Sequence, residues 1–549
     1  MALSLAEERF PILKRLLVCF SLANLFFVSA WYRIQDVQAP FANYFRAYSP
    51  DLTVLKATIL ATLLVTAVFA ALSLIASRFP KLERLSDCLF LLGIGIGLEV
   101  ARTNWPDNSL VDHLRNGGAI CAEAAVAFGL LLRAFADKKV MVGAATRILL
   151  LFNFLFLALA VHFVSSWAAT PPANEFADDK LASPSGKKGP RVLWMLFDSL
   201  DERMIFDARH PSLQLPELDR FRAHALWATT AFPPARFTAY SVPALLSGRL
   251  FQEASPAGPD QLLLTPRGGG PPVSWSAIPT IFFDVRKLGL DTRVTGWYHP
   301  YCRVFGQELV ECSSELGVDS RDTQESYAAS LGLGGAIRFA LTQRYDDLRS
   351  ALHLTNGRPS DALAQSYAQK RHQEQFVAIR KRTLETLPRF SSGLYYVHWP
   401  IPHPPGIYNR RKGQLELDLN NTFLDNLALV DKTLGELRTA MEAQGTWEDT
   451  TIILTADHGY RPEVWKGTVG INQEMIDAMG NSKSLRVPVL VRFPHQAEMV
   501  RYSESFNNVL LHDLTLAVLR GEINTAEQAS RWLDANRDRF PTSPPQPIP

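Results

Sequence analysis

The feature that most constrains this chain is a series of apolar segments confined to its first 170 residues. They lie at about 13–33, 54–77, 86–101, 114–135 and 146–168. A helix needs about 20 mostly apolar residues to cross a bilayer, and all but the third segment meet this length. The third contains Glu99 and is a short span, a re-entrant segment or a buried helix. The sequence therefore predicts a membrane domain of about five helices over residues 1–169, and no cleaved signal peptide.

The loops between these segments predict how the domain is oriented. Basic residues cluster before the first segment, between the second and third, and between the fourth and fifth: Arg9, Lys14, Arg15, Arg78, Lys81, Arg84, Arg133, Lys138, Lys139 and Arg147. The positive-inside rule assigns such loops to the cytoplasm. Five crossings then place everything after residue 170 outside the cytoplasmic membrane. If the third segment does not cross, the C-terminal part is cytoplasmic.

Cysteine usage supports the external placement. Cys302 and Cys312 are the only cysteines that follow the apolar segments. Two cysteines close together and alone in a large domain favour a disulfide formed in an oxidising compartment. Two unpaired, buried thiols are the alternative.

The C-terminal part has the composition of a soluble domain. The whole chain contains 56 basic and 54 acidic side chains, and this balance argues against a nucleic-acid-binding protein, which needs a basic excess. Residues 170–190 are rich in Pro, Ser, Lys and Asp and are predicted to form a linker. Residues 535–549 are predicted to be a disordered tail. Residues 191–534 are predicted to form one domain.

Alternating strand and helix patterns predict the fold of this domain. Uninterrupted apolar runs are typical of strands buried on both faces, and they occur at 191–200 and 450–459. Further candidate strands lie at 291–298, 393–400 and 486–494. Residues 424–445 have helical spacing and end at a glycine. The pattern predicts an α/β sandwich with a mostly parallel central sheet. Ligand sites in such sheets form at the carboxyl ends of the strands.

Two of these strand ends carry candidate metal ligands. Asp198 follows the first strand. It is a metal ligand or, alternatively, the N-cap of the following helix. Asp457 and His458 follow the strand at 450–459. A carboxylate oxygen and an imidazole nitrogen together suit zinc or manganese. A turn with a solvent-facing histidine is the alternative for this pair.

Thr238 is the candidate nucleophile, in the segment RFTAYSVPALLSGR at 236–249. A helix N-cap is a sufficient reason for a threonine at this place. The N-terminus of a helix also stabilises anions, and a metal lowers the pKa of a hydroxyl that it binds. Thr238 is therefore expected to cap the helix and to act as a nucleophile.

Three further side chains are candidates for substrate binding. His403 lies in HWPIPHPP, where prolines restrict the loop, and suits substrate binding or acid–base catalysis. His398, closer to the strand, binds substrate or packs in the core. Lys466, in PEVWKGT, neutralises substrate charge or is a solvated surface lysine.

In this order the elements resemble the alkaline phosphatase and sulfatase superfamily. The resemblance covers about residues 190–500 and rests on the strand before Asp198, PALLSGR, HWPIPHPP, TADHGY and RVPVLVRFP. Sulfatases carry C-x-P-S-R before a helix of this type, and its cysteine becomes formylglycine. Here that position falls on Thr238, which cannot be converted, so the resemblance argues against ordinary sulfate-ester hydrolysis.

The sequence is more similar to membrane-bound lipid A phosphoethanolamine transferases, lipoteichoic acid synthases and phosphoglycerol transferases. The segment TAYSVPALLSG contains the T-A-Y-S-V-P pattern of the first group. This resemblance implies five membrane helices before an external, alkaline phosphatase-like domain. It also implies a divalent metal, Zn²⁺ or Mn²⁺, bound by Asp198, Thr238, Asp457 and His458, with His403 near the substrate.

The chain departs from those transferases at three points. Asp198 replaces the usual glutamate, and the external part allows at most one disulfide. No histidine lies between His458 and His495, where Lys466 is expected to replace the family's further histidine.

The implied function is transfer of a phosphoethanolamine or phosphoglycerol group from a phospholipid donor to an envelope glycan or glycolipid. The implied location is the bacterial inner membrane, with a periplasmic catalytic domain. Alternatives are a phosphodiesterase of the same superfamily, a sulfatase with an unusual nucleophile, and an inactive membrane-anchored binding protein.

Overall fold

The described part of the computed structural model divides into two compact units. It comprises residues 4–36, 44, 52–79, 90, 92–101, 146–151, 153, 156–158, 160–161, 164–165, 181–258, 260–316, 324, 327–352, 354, 359–466, 472–480 and 485–542. The first unit contains residues 1–42, 49–172 and 320–364. The second contains residues 43–48, 173–319 and 365–549.

The first unit contains the apolar helices. Helix α1 spans Ser4–Asp36 and α2 spans Leu52–Ser77. Among the described residues, two segments are long and apolar enough to cross a membrane, Ile12–Trp31 and Leu52–Ser77. Shorter apolar helices, Leu92–Ala101 and Thr146–Ala158, coincide with parts of the third and fifth predicted segments. The predicted segment 114–135 lies outside the described residues, so the number of crossings and their direction remain predictions.

Residues 320–364 interrupt the domain predicted over 191–534, because they fold with the first unit. Helix α7, Gly332–Ala351, packs Ala336 and Ala340 in clusters that also contain Ala57 and Ala61 of α2. Its Arg344 guanidinium donates a hydrogen bond to Ser29 Oγ of α1. The amphipathic pattern of α7 resembles that of any surface helix, so the sequence contains no signal of this placement.

The second unit is an α/β domain. Its helices are α3 Pro216–Ala223, α4 Thr238–Ser247, α5 Ile281–Lys287, α6 Tyr301–Phe305, most of α8 Pro359–Thr386, α9 Phe423–Ala443, α10 Pro462–Lys466, α11 Gln473–Met479, α12 Leu511–Leu519 and α13 Ala526–Asn536. Its strands are β1 Arg191–Phe197, β2 Leu226–Phe232, β3 Phe251–Gly258, β4 Gln261–Pro266, β5 Val273–Ser274, β6 Thr292–Tyr298, β7 Glu311–Leu316, β8 Gly393–Trp399, β9 Tyr408–Asn409, β10 Gln414–Leu415, β11 Thr451–Thr455, β12 Val487–Arg492, β13 Val500–Tyr502 and β14 Phe506–Asn507.

The central sheet has the order β13-β2-β12-β11-β1-β8-β6-β7, with β14 also paired to β2. All pairs are parallel except the two that β12 makes, with β11 and with β2. Strand β1 lies in the middle and is buried from Val192 to Phe197, as its unbroken apolar sequence predicts. The predicted mostly parallel α/β sheet is confirmed, including a strand at each of the five predicted places.

Cys302 and Cys312 form a disulfide, which confirms the favoured interpretation of this pair. Cys302 lies in α6 and Cys312 in β7, so the bond links the helix to the edge strand of the sheet.

The two segments that flank the predicted domain differ in how far they take part in the fold. The described residues of the predicted linker, 181–190, form neither helix nor strand. Helix α13 ends at Asn536 and therefore runs across the boundary predicted at residue 534. Its Leu533 is buried in the core. Beyond it, the Asn507 side-chain amide donates to the Pro541 carbonyl oxygen at 2.9 Å, so residues up to 542 belong to the fold. Residues 543–549 lie outside the described part.

Gly393 at the start of β8 has a φ of +87°, and a Cβ atom there would lie 2.0 Å from the Asp291 carbonyl oxygen. We expect Gly393→Ala to lower the free energy of unfolding by at least about 3 kcal/mol, because backbone strain and a backbone clash add. Gly445→Ala is the matched control: φ is +65° there, but no atom lies within 4 Å. It should cost only about 1 kcal/mol. Denaturant titration of both variants measures the difference, and equal losses would contradict this assignment.

Candidate active site

Four neighbouring parallel strands, β11, β1, β8 and β6, end at the same edge of the sheet. Asp198 directly follows β1, and its backbone N–H donates to the Trp399 carbonyl oxygen of β8 at 3.1 Å. Asp457 and His458 follow β11, and His299 follows β6. The strand ends therefore bring these side chains together at the edge where the parallel topology predicts a site.

Asp198, Asp457 and His458 form a buried cluster whose ligand atoms lie within 4.8 Å of one another. His458 Nε2 is 3.7 Å from Asp198 Oδ1 and 3.4 Å from Asp457 Oδ2. The Thr238 hydroxyl oxygen is 3.1 Å from Asp198 Oδ2 and 3.3 Å from His458 Nε2. The four residues predicted as metal ligands therefore surround a single point.

Thr238 does not cap its helix, in contrast to the sequence expectation. Helix α4 begins at Thr238, and the N-cap residue is Phe237. The Thr238 hydroxyl donates to Asp198 instead of bonding to the helix backbone. Because Thr238 is the first helical residue, its amide belongs to the group of N–H groups that have no partner within the helix. The side chain is thus free to serve the site.

Backbone and hydroxyl contacts fix the positions of the Asp457 loop and of Thr238. Ser199, a non-glycine residue with φ of +70°, points its N–H at Asp457 Oδ1 at 3.2 Å. The Ser241 hydroxyl, one turn after Thr238, donates to the Asp457 carbonyl oxygen. His299 Nε2–H donates to the Thr238 carbonyl oxygen at 3.2 Å. Strained backbone of this kind persists where the surroundings enforce it, commonly at active sites.

The tautomer of His458 follows from its hydrogen bond. Its Nδ1 lies 2.9 Å from the Gly459 carbonyl oxygen, which only accepts hydrogen bonds, so Nδ1 carries the proton. The Nε2 lone pair therefore points at the oxygens of Asp198, Asp457 and Thr238. Lone pairs and negative charges that face one another repel unless a cation lies between them.

The two carboxyl groups titrate apart. Burial and the negative charge of Asp198 raise the pKa of Asp457 to about 7. Burial opposes ionisation of Asp198, but the positive charges that His403 and His458 carry when protonated in acid, and a hydrogen bond from His398, outweigh burial and lower the pKa of Asp198. Asp457 Oδ2 has no hydrogen-bond partner in the described part of the chain.

These observations fit a divalent cation. Two carboxylates, one imidazole nitrogen with a free lone pair and one hydroxyl form a donor set that suits Zn²⁺ or Mn²⁺.

His398 and His403 lie on the β8 side of this cluster. His398 Nε2 is 3.7 Å from Asp198 Oδ2, and its Nδ1 is 2.8 Å from the Tyr301 hydroxyl. His403 Nδ1 is 2.7 Å from the Pro404 carbonyl oxygen and therefore carries the proton, which leaves Nε2 as an acceptor. Burial is the main cause that lowers the pKa of His403 to about 4, so this ring is neutral at pH 7.

The substrate-binding role predicted for Lys466 stays a prediction, and Arg461 is the cation that the described residues place near the cluster. Lys466 is the last residue of α10, and its side chain lies outside the described residues. Arg461 follows the Asp457–Tyr460 turn directly, and its positive charge helps to lower the pKa of both His403 and His458, after the larger effect of burial. The sequence offered one signal for Arg461: it is the first basic residue after the DHGY turn.

Helix α8 contributes a buried side chain that the sequence pattern did not single out. The His372 ring lies 5.6 Å from the Trp297 ring and 6.3 Å from the His403 ring, centre to centre. One turn further, Gln375 accepts a hydrogen bond from Trp297 Nε1 at 3.1 Å. Trp297 in turn packs 5.1 Å from His403. A single histidine in a charged helix carries no sequence signal of this proximity.

A comparison with known families finds one match in the second unit. Residues 363–520 match the family model described as sulfatase. This segment, less than a third of the chain, is similar to the sulfatase family. The matched segment includes His398, His403, Asp457 and His458, while Asp198 and Thr238 precede it. The match confirms the superfamily resemblance and indicates an enzyme of the hydrolase or phosphotransferase type; members of this superfamily are metal-dependent.

The solved structures to which this chain is similar match it at low sequence identity. The phosphonate monoester hydrolase of Agrobacterium radiobacter is 15% identical, with 60% of this chain and 77% of that chain covered and a TM-score of 0.36. A sulfatase from Pseudoalteromonas sp. is 15% identical, with 62% and 69% covered and a TM-score of 0.40. A protein in the alkaline phosphatase superfamily from Vibrio parahaemolyticus is 14% identical, with 62% and 69% covered and a TM-score of 0.34. No curated protein sequence matches the chain.

Proposed function

We propose that the second unit is a metal-dependent transferase that moves a phosphoryl-alcohol group from a phospholipid through a covalent bond to Thr238. The observation that carries this proposal is the position of the Thr238 hydroxyl, 3.1 Å from Asp198 and 3.3 Å from His458. A hydroxyl placed among the donors of a divalent cation is a poised nucleophile. The bound cation lowers the pKa of a hydroxyl and offsets negative charge on a phosphoryl group.

In the first half-reaction, Thr238 Oγ1 attacks the phosphorus of a phospholipid head group. The bond from Oγ1 to phosphorus forms, and the bond from phosphorus to the lipid glycerol oxygen breaks. The Thr238 hydroxyl proton, which is donated to Asp198 in the hydrogen bond, ends on the glycerol oxygen of the departing diacylglycerol. The products are a phospho-threonine diester and a neutral lipid alcohol.

In the second half-reaction, a hydroxyl oxygen of an envelope glycan or glycolipid attacks the same phosphorus. The new oxygen–phosphorus bond forms, the bond from phosphorus to Thr238 Oγ1 breaks, and the acceptor's proton ends on Thr238 Oγ1. His403 suits the role of base for that hydroxyl, because its Nδ1 proton is held by the Pro404 carbonyl oxygen and Nε2 accepts. A neutral imidazole in this tautomer does not donate to a phosphoryl oxygen, so His403 acts on the acceptor hydroxyl rather than on those oxygens.

The apolar first unit favours a donor that lies in the same membrane. A tethered site meets lipid head groups at a high effective concentration. With the five crossings and the orientation that the sequence predicts, the donor would be in the periplasmic leaflet of a bacterial inner membrane, and the disulfide agrees with this compartment.

Hydrolysis is the second candidate, and the match to the sulfatase family favours it. In that case water replaces the acceptor hydroxyl, and the same phospho-threonine diester is hydrolysed. Thr238 cannot become formylglycine, which opposes a sulfatase of the usual kind, and the assembled donor set opposes an inactive binding protein.

Trapping the covalent species tests the proposal. Full-length protein in detergent is incubated with phosphatidylethanolamine or phosphatidylglycerol and Mn²⁺ or Zn²⁺, quenched in acid and digested. We expect the peptide that contains Thr238 to gain the mass of phosphoethanolamine or phosphoglycerol, and the gain identifies the donor. A peptide that stays unmodified while head groups are released would rule out the threonine intermediate. Added glycolipid separates the two candidates: a transferase labels it, and a hydrolase releases only the free phosphoryl alcohol.

A further inference from the structure

Arg461 lies beside the proposed nucleophile and outside every role assigned so far. Its guanidinium carbon is 5.3 Å from the ring centre of Phe237, the residue before Thr238. The guanidinium is close enough to His403 and His458 for its charge to act on both rings. A cation over an aromatic face is held in place without losing its charge.

Among the residues that the structure describes, none forms an ion pair or a hydrogen bond with the Arg461 side chain, and its buried Nε has no partner there. Its neighbour in space, Arg236, is engaged: Nη2 lies 3.2 Å from a Glu463 carboxylate oxygen. A buried N–H without a partner is costly, and the cost is removed if an anion completes the site. In the part of the chain that the structure describes around Asp198 and Asp457, Arg461 is the unpaired cation.

We propose that Arg461 binds the two non-bridging oxygens of the reacting phosphoryl group and makes the site selective for esters that carry one negative charge. This inference rests on the proposed function and specifies its substrate class. A guanidinium presents paired N–H donors that match two oxygens of one phosphoryl group. A phosphodiester has two such oxygens, which share one charge, whereas a phosphomonoester has three oxygens and close to two charges at pH 7.

The net charge of the site favours a phosphodiester over a phosphomonoester. The cluster already holds two carboxylates, Asp198 and Asp457, which balance the charge of a divalent cation. Arg461 then supplies the remaining positive charge, enough for a monoanion and not for a dianion. The site therefore favours diesters such as phospholipids over phosphate monoesters.

The test compares methyl p-nitrophenyl phosphate, a diester, with p-nitrophenyl phosphate, a monoester. We expect wild-type protein to prefer the diester, and Arg461→Met to lower kcat/KM for the diester by about 10- to 100-fold, the loss of a charge-assisted pair of hydrogen bonds. Arg461→Lys should be faster than Arg461→Met but slower than wild type, because lysine keeps the positive charge and lacks the paired N–H donors of the guanidinium. Arg236→Met removes the neighbouring guanidinium and should stay within about twofold of wild type.

A binding measurement separates this inference from the proposed function. Dimethyl phosphate is titrated into the Thr238→Ala protein, which cannot react, with and without Arg461→Met. The inference predicts that binding weakens by the same factor as kcat/KM. Diester turnover that requires Thr238 but is indifferent to Arg461, or equal dimethyl phosphate binding in both proteins, overturns the inference alone. Diester turnover that persists in Thr238→Ala refutes the proposed function, while the binding comparison still decides the role of Arg461.

Discussion

Thr238→Ala is expected to reduce phospholipid turnover by at least about 10⁴-fold, because it removes the oxygen to which the phosphoryl group is transferred. Thr238→Ser should retain measurable activity, since it keeps the hydroxyl. It should still be slower than wild type, because the methyl group that restricts χ1 is lost from a buried side chain. Release of labelled head groups from lipid in detergent measures all three proteins.

Thr439→Ala is the matched control for this series. Thr439 lies on an exposed face of α9, where its hydroxyl donates to the Gly435 carbonyl oxygen. The Thr439→Ala variant should leave phospholipid turnover unchanged. Equal turnover in Thr238→Ala and Thr439→Ala would show that another group is the nucleophile, provided that thermal melts show both variants folded.

The sequence predicted the sheet well, because buried parallel strands carry a strong local signal. The unbroken apolar runs of β1 and β11 are short, which favours strands buried on both faces over buried helices. The placement of residues 320–364 escaped prediction for the opposite reason. The Ala336 and Ala340 face of α7 is equally compatible with the second unit, and only three-dimensional packing assigns it to the first.

The proximity of the site residues at strand ends could be predicted from the sequence. The orientation of Thr238 and the position of Arg461 could not. Parallel topology alone predicts that Asp198 and Asp457 meet. The orientation of the Thr238 hydroxyl depends on where α4 begins, and a shift of one residue decides between capping the helix and facing the cluster. Arg461 was overlooked because the family comparison directed attention to a more distant basic residue, whereas the structure shows that the turn after Gly459 brings the next basic side chain back to Phe237.

Asp457→Asn is expected to raise the stability of the metal-free protein while weakening metal binding by at least about 100-fold. The pKa of Asp457 rises from 3.8 to about 7 on folding, because of burial and the charge of Asp198. A carboxyl group whose pKa is raised in the folded state lowers stability as the pH rises from about 4 to 7, and the full penalty applies above pH 7. That shift corresponds to roughly 4 kcal/mol at pH 8. Asparagine carries no charge, its carbonyl oxygen still accepts from Ser199 N–H, and its amide group can donate to the His458 Nε2 lone pair.

Melting temperatures with chelator and with Zn²⁺ or Mn²⁺, at pH 5 and pH 8, measure this effect. With chelator, Asp457→Asn should melt above wild type at pH 8, and the difference should shrink at pH 5, where Asp457 is largely protonated in the folded state. With metal, the order should reverse, because a bound ion stabilises the wild-type fold. Asp477→Asn, which removes an exposed carboxylate, should follow wild type throughout. A chelated Asp457→Asn protein that melts below wild type at pH 8 would mean that the two carboxylates do not repel each other, and the electrostatic reason for placing a cation between them would be lost.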